Sequence, residues 1–368
     1  MKIVITGCGL IADTHVRALE QVQPGARILL CDRDRSRAEA LARKWSLKAV
    51  HTDLAALLAS EKPDAVHIVT PPPTHATLAT QAIRAGCHVY VEKPVTETRA
   101  SFEKLAALAA KKQVVLYPGY STLGMPVVLR LKREMAGGRF GRLIAVHCTF
   151  GCSWPNNRIP YNTPDHWAYA LKGGILQNMI DHPASLVLDL LAPIKHHKIL
   201  VGRRNVLPYD CPDLLHVALE NEDQVGSFTL SLGHGSADRR AHLLFEKGSV
   251  TVDMGRMLFT ATEGRGPHNF VKKAASGLQE GLAQITGTFG NAWQTVRGKL
   301  RKEPGITNLI ENFYANIAGQ AERLVRDETV LEVTHLLDVI WNEIDYRVTS
   351  NGRGKRAGKT RPEKRVRE

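Results

Sequence analysis

The chain opens with an apolar, β-prone run that ends in a glycine-rich turn and continues directly into helix-compatible sequence. The run covers residues 2–6 and leads into Gly7-x-Gly9-x-x-Ala12. Gly7 allows a sharp turn, Gly9 lets the backbone approach a phosphate, and Ala12 lets the helix pack closely on the strand. Free N–H groups at the start of such a helix attract an anion. The sequence therefore predicts a pyrophosphate site formed by Gly7, Gly9, Leu10, Ile11 and Ala12.

The next predicted strand, at residues 27–31, ends at Asp32, which lies 20 residues after Ala12. A carboxylate at this position accepts hydrogen bonds from the adenosine ribose hydroxyls of a dinucleotide and repels a 2′-phosphate. The two motifs together predict NAD binding. NADP is the alternative, because the basic residue Arg33 follows directly and would also face the cofactor.

Length and composition limit the remaining choices. A chain of 368 residues is most simply two domains. Of its net charge of +13, residues 351–368 carry +6 with almost no apolar side chains, which predicts a disordered basic tail and no nucleic-acid partner. The sequence has no apolar run of about 20 residues and its first strand starts at residue 2, so we expect a cytoplasmic protein. The six scattered cysteines predict free thiols and no metal site.

Helix and strand patterns alternate up to about residue 119 and predict six strands of a Rossmann fold, a doubly wound parallel sheet. One strand ends in the proline-rich loop at residues 70–75, and a later strand ends in Glu92-Lys93. Ligands of such sheets bind beyond the carboxyl ends of the strands. We therefore assign to the cofactor side Thr70, Pro71, Pro72, His75, Glu92 and Lys93. Lys93 can also donate to a substrate oxygen and transfer protons.

The second half of the chain changes character. Short strand patterns from about residue 143 predict an α+β domain with a mostly antiparallel, open-faced sheet. Residues 151–172 combine aromatic faces with hydrogen-bond donors, which suits a sugar or base ring that carries an anionic group. The predicted substrate-binding residues are Tyr120, Trp154, Arg158, Tyr161, His166 and Trp167. The predicted divisions are residues 1–122 for cofactor binding, 123–350 for substrate binding and oligomerisation, and 351–368 for the tail.

Four segments in combination resemble the glucose-fructose oxidoreductase and inositol dehydrogenase (Gfo/Idh/MocA) family. They are GCGLIADTH at residues 7–15, TPPPTH at 70–75, AGCHVYVEKP at 85–94 and GGILQNMIDH at 173–182. The resemblance implies an NAD(P)-dependent dehydrogenase of sugars, cyclitols or sugar nucleotides. It also implies a homo-oligomer formed through the C-terminal sheet. By position, Lys93 matches the lysine of the EKP motif, and His182 matches the histidine that acts as a base toward the substrate hydroxyl.

The match departs from the family pattern after the last Rossmann strand, where Thr122 and Leu123 replace the usual Arg, and at two positions near the histidine. Many members have Asp four residues before the histidine, where this chain has Asn178, and Asp three residues after it, where this chain has Ser185. On one helix Asn178 shares a face with His182, so we include Asn178 in the catalytic group, although an amide cannot take a proton. Asp181 would point about 100° away from His182 and is not a substitute. Pro183 is expected to bend the helix.

Three function classes remain open from the sequence. The first is a dehydrogenase that moves a hydride between nicotinamide and a sugar-like alcohol. The second is a glycosidase-type relative that uses tightly held NAD for transient oxidation, and the third is a non-catalytic relative of the NAD-binding enzymes, a binding protein on a decayed enzyme. Net NADH formation separates the first from the second, and failure to bind nicotinamide cofactors indicates the third.

Residues 269–300 form a separate amphipathic segment. Apolar residues recur there every three or four positions and basic residues lie at both ends, which predicts a helix with one apolar face. We expect this face to pack on its own domain or on a neighbouring subunit. The alternative is an interfacial helix that rests on an anionic membrane.

Overall fold

Two sheets organise the protein. The computed structural model describes residues 1–153, 166–204, 206–207, 212–264, 270–297 and 302–351. The first sheet contains β1 (Lys2–Thr6), β2 (Arg27–Cys31), β3 (Ala49–His51), β4 (Ala65–Ile68), β5 (His88–Glu92) and β6 (Leu116–Gly119). The helices that accompany it are α1 (Leu10–Val22), α2 (Arg35–Trp45), α3 (Leu54–Glu61), α4 (His75–Arg84) and α5 (Arg99–Lys112).

All strands of the first sheet are parallel, in the order β3-β2-β1-β4-β5-β6. Central strands of such a sheet are covered on both faces, and residues Ile3, Val4 and Ile5 of β1 are fully buried. The strand order reverses direction between β1 and β4, so a crevice opens there at the carboxyl ends of the strands. The predicted Rossmann fold is confirmed.

The second sheet begins after α6 (Pro126–Ala136) and has the order β13-β12-β11-β7-β10-β9-β8. Only the pair β7–β10 is parallel, so the sheet is mostly antiparallel as predicted. Its strands are β7 (Leu143–Ser153), β8 (His196–Gly202), β9 (Leu214–Glu220), β10 (Val225–Ser231), β11 (Gly233–Phe245), β12 (Gly248–Asp253) and β13 (Leu258–Glu263).

Helices cover one face of the second sheet and leave the other open. The sequence of the second half contributes α7 (Gly174–Met179), α8 (Asp181–Leu191), α9 (Phe270–Val296), α10 (Pro304–Ile317) and α11 (Asp327–Asn351). On β10, Gly226, Phe228 and Leu230 are buried against α8, whereas the alternate positions are not. Alternating burial of this kind is the mark of a sheet with one solvated face.

A break separates α7 from α8 at Ile180. Pro183 has no N–H to donate to the carbonyl of Met179, four residues earlier, so the helix is interrupted just before the predicted bend. Asn178 and His182 lie on either side of Ile180, which itself keeps helical dihedrals (φ −64°, ψ −30°), so the expectation that they share a helical face stays a prediction. Asp181, the first residue of α8, is fully buried.

The last two helices return to the first sheet. In α10 the Tyr314 hydroxyl lies 2.8 Å from Nε2 of His67, and Asn312 accepts from the Tyr117 hydroxyl at 2.5 Å. α11 is tied to α8 by Thr329, which donates to Asp189 at 2.9 Å. The two sheets thus share helices, and the boundary predicted at residue 122 stays a prediction.

Of the predicted tail, residues 352–368 lie outside the described residues. Within the described ranges, no helix is long and apolar enough to cross a membrane.

Candidate active site

The glycine-rich turn has the shape that a pyrophosphate requires. Gly7 adopts φ +93°, and a Cβ there would lie 2.8 Å from Cγ2 of Thr70, so this position favours glycine on both counts. A Cβ at Gly9 would meet nothing within 4 Å, and no side chain caps the N-terminus of α1. The first-turn N–H groups therefore face open space beside Leu10, which is 65% exposed. These features fit a bound dinucleotide phosphate.

Asp32 is held in place by two backbone donors at the end of β2. The N–H of Cys8 donates to Oδ2 at 2.7 Å, and the N–H of Asp34 donates to Oδ1 at 2.9 Å. The carboxylate therefore has a defined orientation beside the glycine-rich turn, where a ribose can donate to its remaining lone pairs. Arg33 is exposed next to it.

The loop after β4 is fixed to the loop after β5 by a buried histidine. Both ring nitrogens of His75 lie 2.7 Å from a backbone carbonyl, one of Thr70 and one of Pro94. The ring thus has no free nitrogen for a ligand, and the structure places His75 beneath the cofactor crevice as an anchor of its two loops. Pro71 is exposed and Pro72 is buried in the same loop.

Glu92 ends a chain of buried hydrogen bonds. His15 lies 3.1 Å from Glu92, His15 and His67 lie 3.0 Å apart, and His67 meets the Tyr314 hydroxyl. Burial lowers the pKa of His67 well below its usual value, so its ring is neutral. Every link of the chain is satisfied when each ring donates toward Glu92 and Tyr314 is the terminal donor. The sequence had no signal for this chain, because it joins residues from four separate elements.

Lys93 joins the two halves of the site. Its Nζ donates to the backbone carbonyl of Asn178 and lies 3.3 Å from Oδ1 of the same residue. Asn178 is buried, whereas Lys93 is half-buried and can reach a ligand in the crevice. The predicted group of Lys93, Asn178 and His182 is therefore brought together by the structure.

His182 lies at the start of α8, near enough to Lys93 for the charge of the lysine to act on it. Its ring stacks on Phe150 with 5.2 Å between centroids, and its Nδ1 lies 3.4 Å from the Thr122 hydroxyl. Burial, reinforced by the positive charges of Lys93 and Arg239, lowers the pKa of His182 well below its usual value. The ring is neutral near pH 7, and its Nε2 has no partner among the described residues, so it can accept a proton.

Arg239 of β11 is a site residue that the sequence did not reveal. Its guanidinium carbon lies 4.9 Å from the centroid of Phe150, on which His182 also stacks. Its Nε is buried and has no hydrogen-bond partner in the described part of the chain. The available signal was an arginine at an inward position of a strand, two residues before the fully buried Ala241.

Asp181 is a second site residue that sequence reasoning did not predict. It is fully buried, and neither carboxylate oxygen has a partner among the residues described. Burial raises the pKa of Asp181 to about 6, against the opposing effect of the positive charge of Lys93. Its angular separation from His182 does not remove it from the site, because the positive charge of Lys93 acts on its carboxylate.

The predicted substrate residues divide into three groups. Tyr120 is only 1% exposed and lies beneath the site, where the charge of Asp181 adds to burial in raising the pKa of its hydroxyl. His166 accepts from the N–H of Ala168 at 3.2 Å, and Trp167 beside it is 36% exposed. The other three predicted residues lie outside the described residues: Trp154, Arg158 and Tyr161.

Family models match both halves of the chain. The oxidoreductase family model with an NAD-binding Rossmann fold matches residues 1–120, and the Gfo/Idh/MocA C-terminal domain matches residues 128–251. Inositol 2-dehydrogenase 2 of Saccharopolyspora erythraea is 29% identical over 270 residues, which cover 72% of this chain and 76% of that protein.

Solved structures share the fold along almost the whole chain. The WlbA dehydrogenase from Bordetella pertussis, in complex with NADH and UDP-GlcNAcA, has a TM-score of 0.74 at 21% identity and covers 96% of each chain. The UDP-N-acetylglucosamine 3-dehydrogenase GnnA from Acidithiobacillus ferrooxidans has a TM-score of 0.71 at 19% identity, covering 94% of this chain and 98% of that one. With both halves matched, this chain belongs to the Gfo/Idh/MocA family of oxidoreductases, whose Rossmann domain binds NAD.

Proposed function

We propose that this protein is an NAD-dependent dehydrogenase that moves a hydride between nicotinamide and a secondary alcohol of an anionic sugar, with Lys93 and His182 in proton transfer. The observation that carries the proposal is the pairing of a cationic donor and a neutral imidazole in one crevice. Lys93 is held by Asn178, and its positive charge acts directly on His182. This crevice lies beyond β5, on the same sheet edge as the glycine-rich turn.

The residues divide the chemistry between them. NAD supplies the acceptor for the hydride when it is bound. The neutral Nε2 of His182 takes the proton of the substrate hydroxyl, while the ammonium of Lys93 donates to the same oxygen and stabilises its developing charge. Asn178 holds the ammonium through its backbone and side-chain oxygens. An acid at position 178 is not required for this division, because the histidine is already a base.

The orientation of Asp32 supports a preference for NAD over NADP. Two backbone N–H groups fix its carboxylate beside the turn, so the negative charge cannot easily move away from a 2′-phosphate. Arg33 is exposed, and its positive charge would favour the 2′-phosphate of NADP. Titration of nicotinamide fluorescence with each reduced cofactor measures the two dissociation constants.

Arg239 supports an anionic substrate. The guanidinium of Arg239 hydrogen-bonds with Cys152, but its Nε is a buried donor without a partner among the described residues, which costs free energy unless a ligand satisfies it. Arginine pairs with carboxylates and phosphates through two parallel hydrogen bonds. Trp167, which precedes α7 in the chain and is partly exposed, offers a flat face for a sugar or base. A sugar nucleotide or a uronic acid therefore fits better than a neutral cyclitol.

Quaternary structure and compartment belong to the same proposal. The second sheet exposes apolar side chains at Ile144, Leu200, Val225 and Leu244, which supports a homo-oligomer through this sheet. The five described cysteines are free and buried, which supports a reducing, cytoplasmic environment.

The test is a substrate panel with NAD at saturation. UDP-sugars, their uronate forms, free uronic acids, neutral sugars and cyclitols are compared by the absorbance of NADH and by chromatography of the products. We expect net NADH with one of the anionic classes. Turnover of neutral polyols alone would overturn the anionic assignment. Cleavage of a glycoside without net NADH would show that the protein is the glycosidase-type enzyme and not a dehydrogenase. A protein that binds no nicotinamide cofactor and turns over no substrate of the panel would be a non-catalytic relative.

A further inference from the structure

Helix α9 attaches to the edge of the second sheet through its small and polar side. Asn291 Nδ2 donates to the backbone carbonyls of Arg256 and Met257, at 2.9 and 3.1 Å. A Cβ on Gly287 would lie 2.8 Å from Cδ2 of Leu258, and the carboxylate of Glu280 accepts from the hydroxyl of Thr262. The side of α9 that faces the sheet is therefore defined by positions 280, 287 and 291.

The apolar residues of α9 lie on the opposite side. At 100° per residue, they are centred about 180° from Gly287 around the helix axis. Each is 55–80% exposed: Leu278, Leu282, Ile285, Phe289, Trp293 and Val296. We call these six residues the outer stripe. Packing of this face on its own domain, one of the two arrangements expected from the sequence, is contradicted by their exposure.

Six large apolar side chains in one line require a partner. Scattered apolar residues on a surface are ordinary, but a continuous stripe along a 27-residue helix marks an interaction surface. The spacing of the stripe averages 3.6 residues, so it runs straight along one side of the helix. Such a stripe fits a flat surface parallel to the helix axis.

The charges at the ends of α9 select the kind of partner. Residues 264–302 contain seven basic residues and one acidic residue, and that acid is Glu280, which faces the sheet. Arg297 is exposed directly after the C-terminal end of α9, and the sequence places two more basic residues, Lys272 and Lys273, in its first turn. Two copies of this helix would bring like charges together in either orientation. An anionic surface is complementary to both ends.

We propose that α9 is an interfacial helix that lays its outer stripe on an anionic phospholipid bilayer, with the helix axis in the plane of the membrane. Apolar side chains enter the boundary between headgroups and acyl chains, and the exposed guanidinium of Arg297 meets a lipid phosphate. The guanidinium of Arg297 lies 4.4 Å from the ring centroid of Trp293, which places an indole and a cation together at the level where membranes favour both.

The test is co-sedimentation of the full-length enzyme with vesicles. Vesicles of phosphatidylcholine alone are compared with an equal mixture of phosphatidylcholine and phosphatidylglycerol at low salt. We expect binding to the mixed vesicles only, weakened by added salt because the attraction is partly electrostatic. Phe289→Glu, in the middle of the outer stripe, should weaken binding about tenfold or more. Gln284→Glu adds the same charge at an exposed position outside the stripe, about 60° from Gly287 around the helix axis, and should weaken binding far less.

Thermal midpoints and NADH affinities of both variants establish that the fold is retained. Three results would overturn the proposal. The first is no binding to the mixed vesicles at low salt, and the second is equal binding by wild type and Phe289→Glu. The third is a smaller assembly for Phe289→Glu in analytical ultracentrifugation without lipid, which would mean that a second copy of the chain covers the outer stripe.

Discussion

The buried carboxylate of Asp181 yields the most specific prediction about stability. Burial raises its pKa to about 6, above the ordinary value of 3.8, so the folded state retains a proton that the unfolded state releases between these pH values. Stability is therefore lost as pH rises through this window. The loss reaches about 3 kcal/mol above pH 7, since each pKa unit corresponds to about 1.4 kcal/mol.

Asp181→Asn keeps the shape of the side chain and removes this loss. We expect the variant to be more stable than wild type by about 3 kcal/mol at pH 8 and by about half of that at pH 5. For a chain of this length, 3 kcal/mol corresponds to a rise of about 4 °C in the thermal midpoint. Differential scanning calorimetry of the cofactor-free protein at the two pH values measures both quantities.

A matched control and an activity measurement complete this prediction. Asp189 is also buried, but it accepts from Thr329 and pairs with Lys132 at 2.6 Å, so Asp189→Asn should lose stability. Because the charge of Asp181 acts beside Lys93, turnover of Asp181→Asn should fall about tenfold while stability rises. The reasoning would be refuted if Asp181→Asn were less stable than wild type at pH 8. It would also be refuted if the substitution changed the free energy of unfolding by the same amount at pH 5 and pH 8.

Four further variants test separate parts of the site. Lys93→Met should lower turnover by about 10²-fold with NADH affinity unchanged, and near-normal turnover would remove this residue from catalysis. Asp32→Ala should weaken NADH binding more than NADPH binding, measured by fluorescence titration; tighter NADPH binding by wild type would contradict its assignment. Arg239→Met should raise KM for an anionic substrate about tenfold with little change for a neutral one. Tyr314→Phe removes the donor to His67 and should lower the free energy of unfolding by about 1–3 kcal/mol in urea titrations; unchanged stability would contradict the buried chain.

The features that sequence reasoning predicted correctly are those set by neighbouring residues. The glycine-rich turn, with Gly7 at positive φ, is specified within a dozen residues. The strands of both sheets follow from apolar periodicity, and the EKP lysine follows from its place at a strand end. The approach of Lys93 to the residues before His182 was accessible only through the family resemblance, because 85 residues separate Lys93 from Asn178.

The features that were missed depend on packing between distant segments. Asp181 is fully buried where the charge of Lys93 acts on it, and helical periodicity alone does not reveal this proximity to a residue of the first sheet. Arg239 meets Phe150 because β11 pairs with β7 in a register that periodicity alone leaves open. The direction of the apolar face of α9 is set by contacts of Gly287 and Asn291 with the sheet edge, since an amphipathic pattern does not say which side of a helix the protein covers.

The central claim is hydride transfer to NAD with His182 as the base, and a single-turnover experiment tests it most directly. Enzyme with bound NAD is mixed with the substrate identified by the panel, and NADH fluorescence is followed by stopped flow. The account predicts a rapid rise for wild type and a rise about 10²-fold slower for His182→Ala, with the same affinity for NADH in both proteins. An equally fast rise in the variant would contradict the assignment of the base, and no NADH in the wild-type enzyme would contradict the dehydrogenase itself.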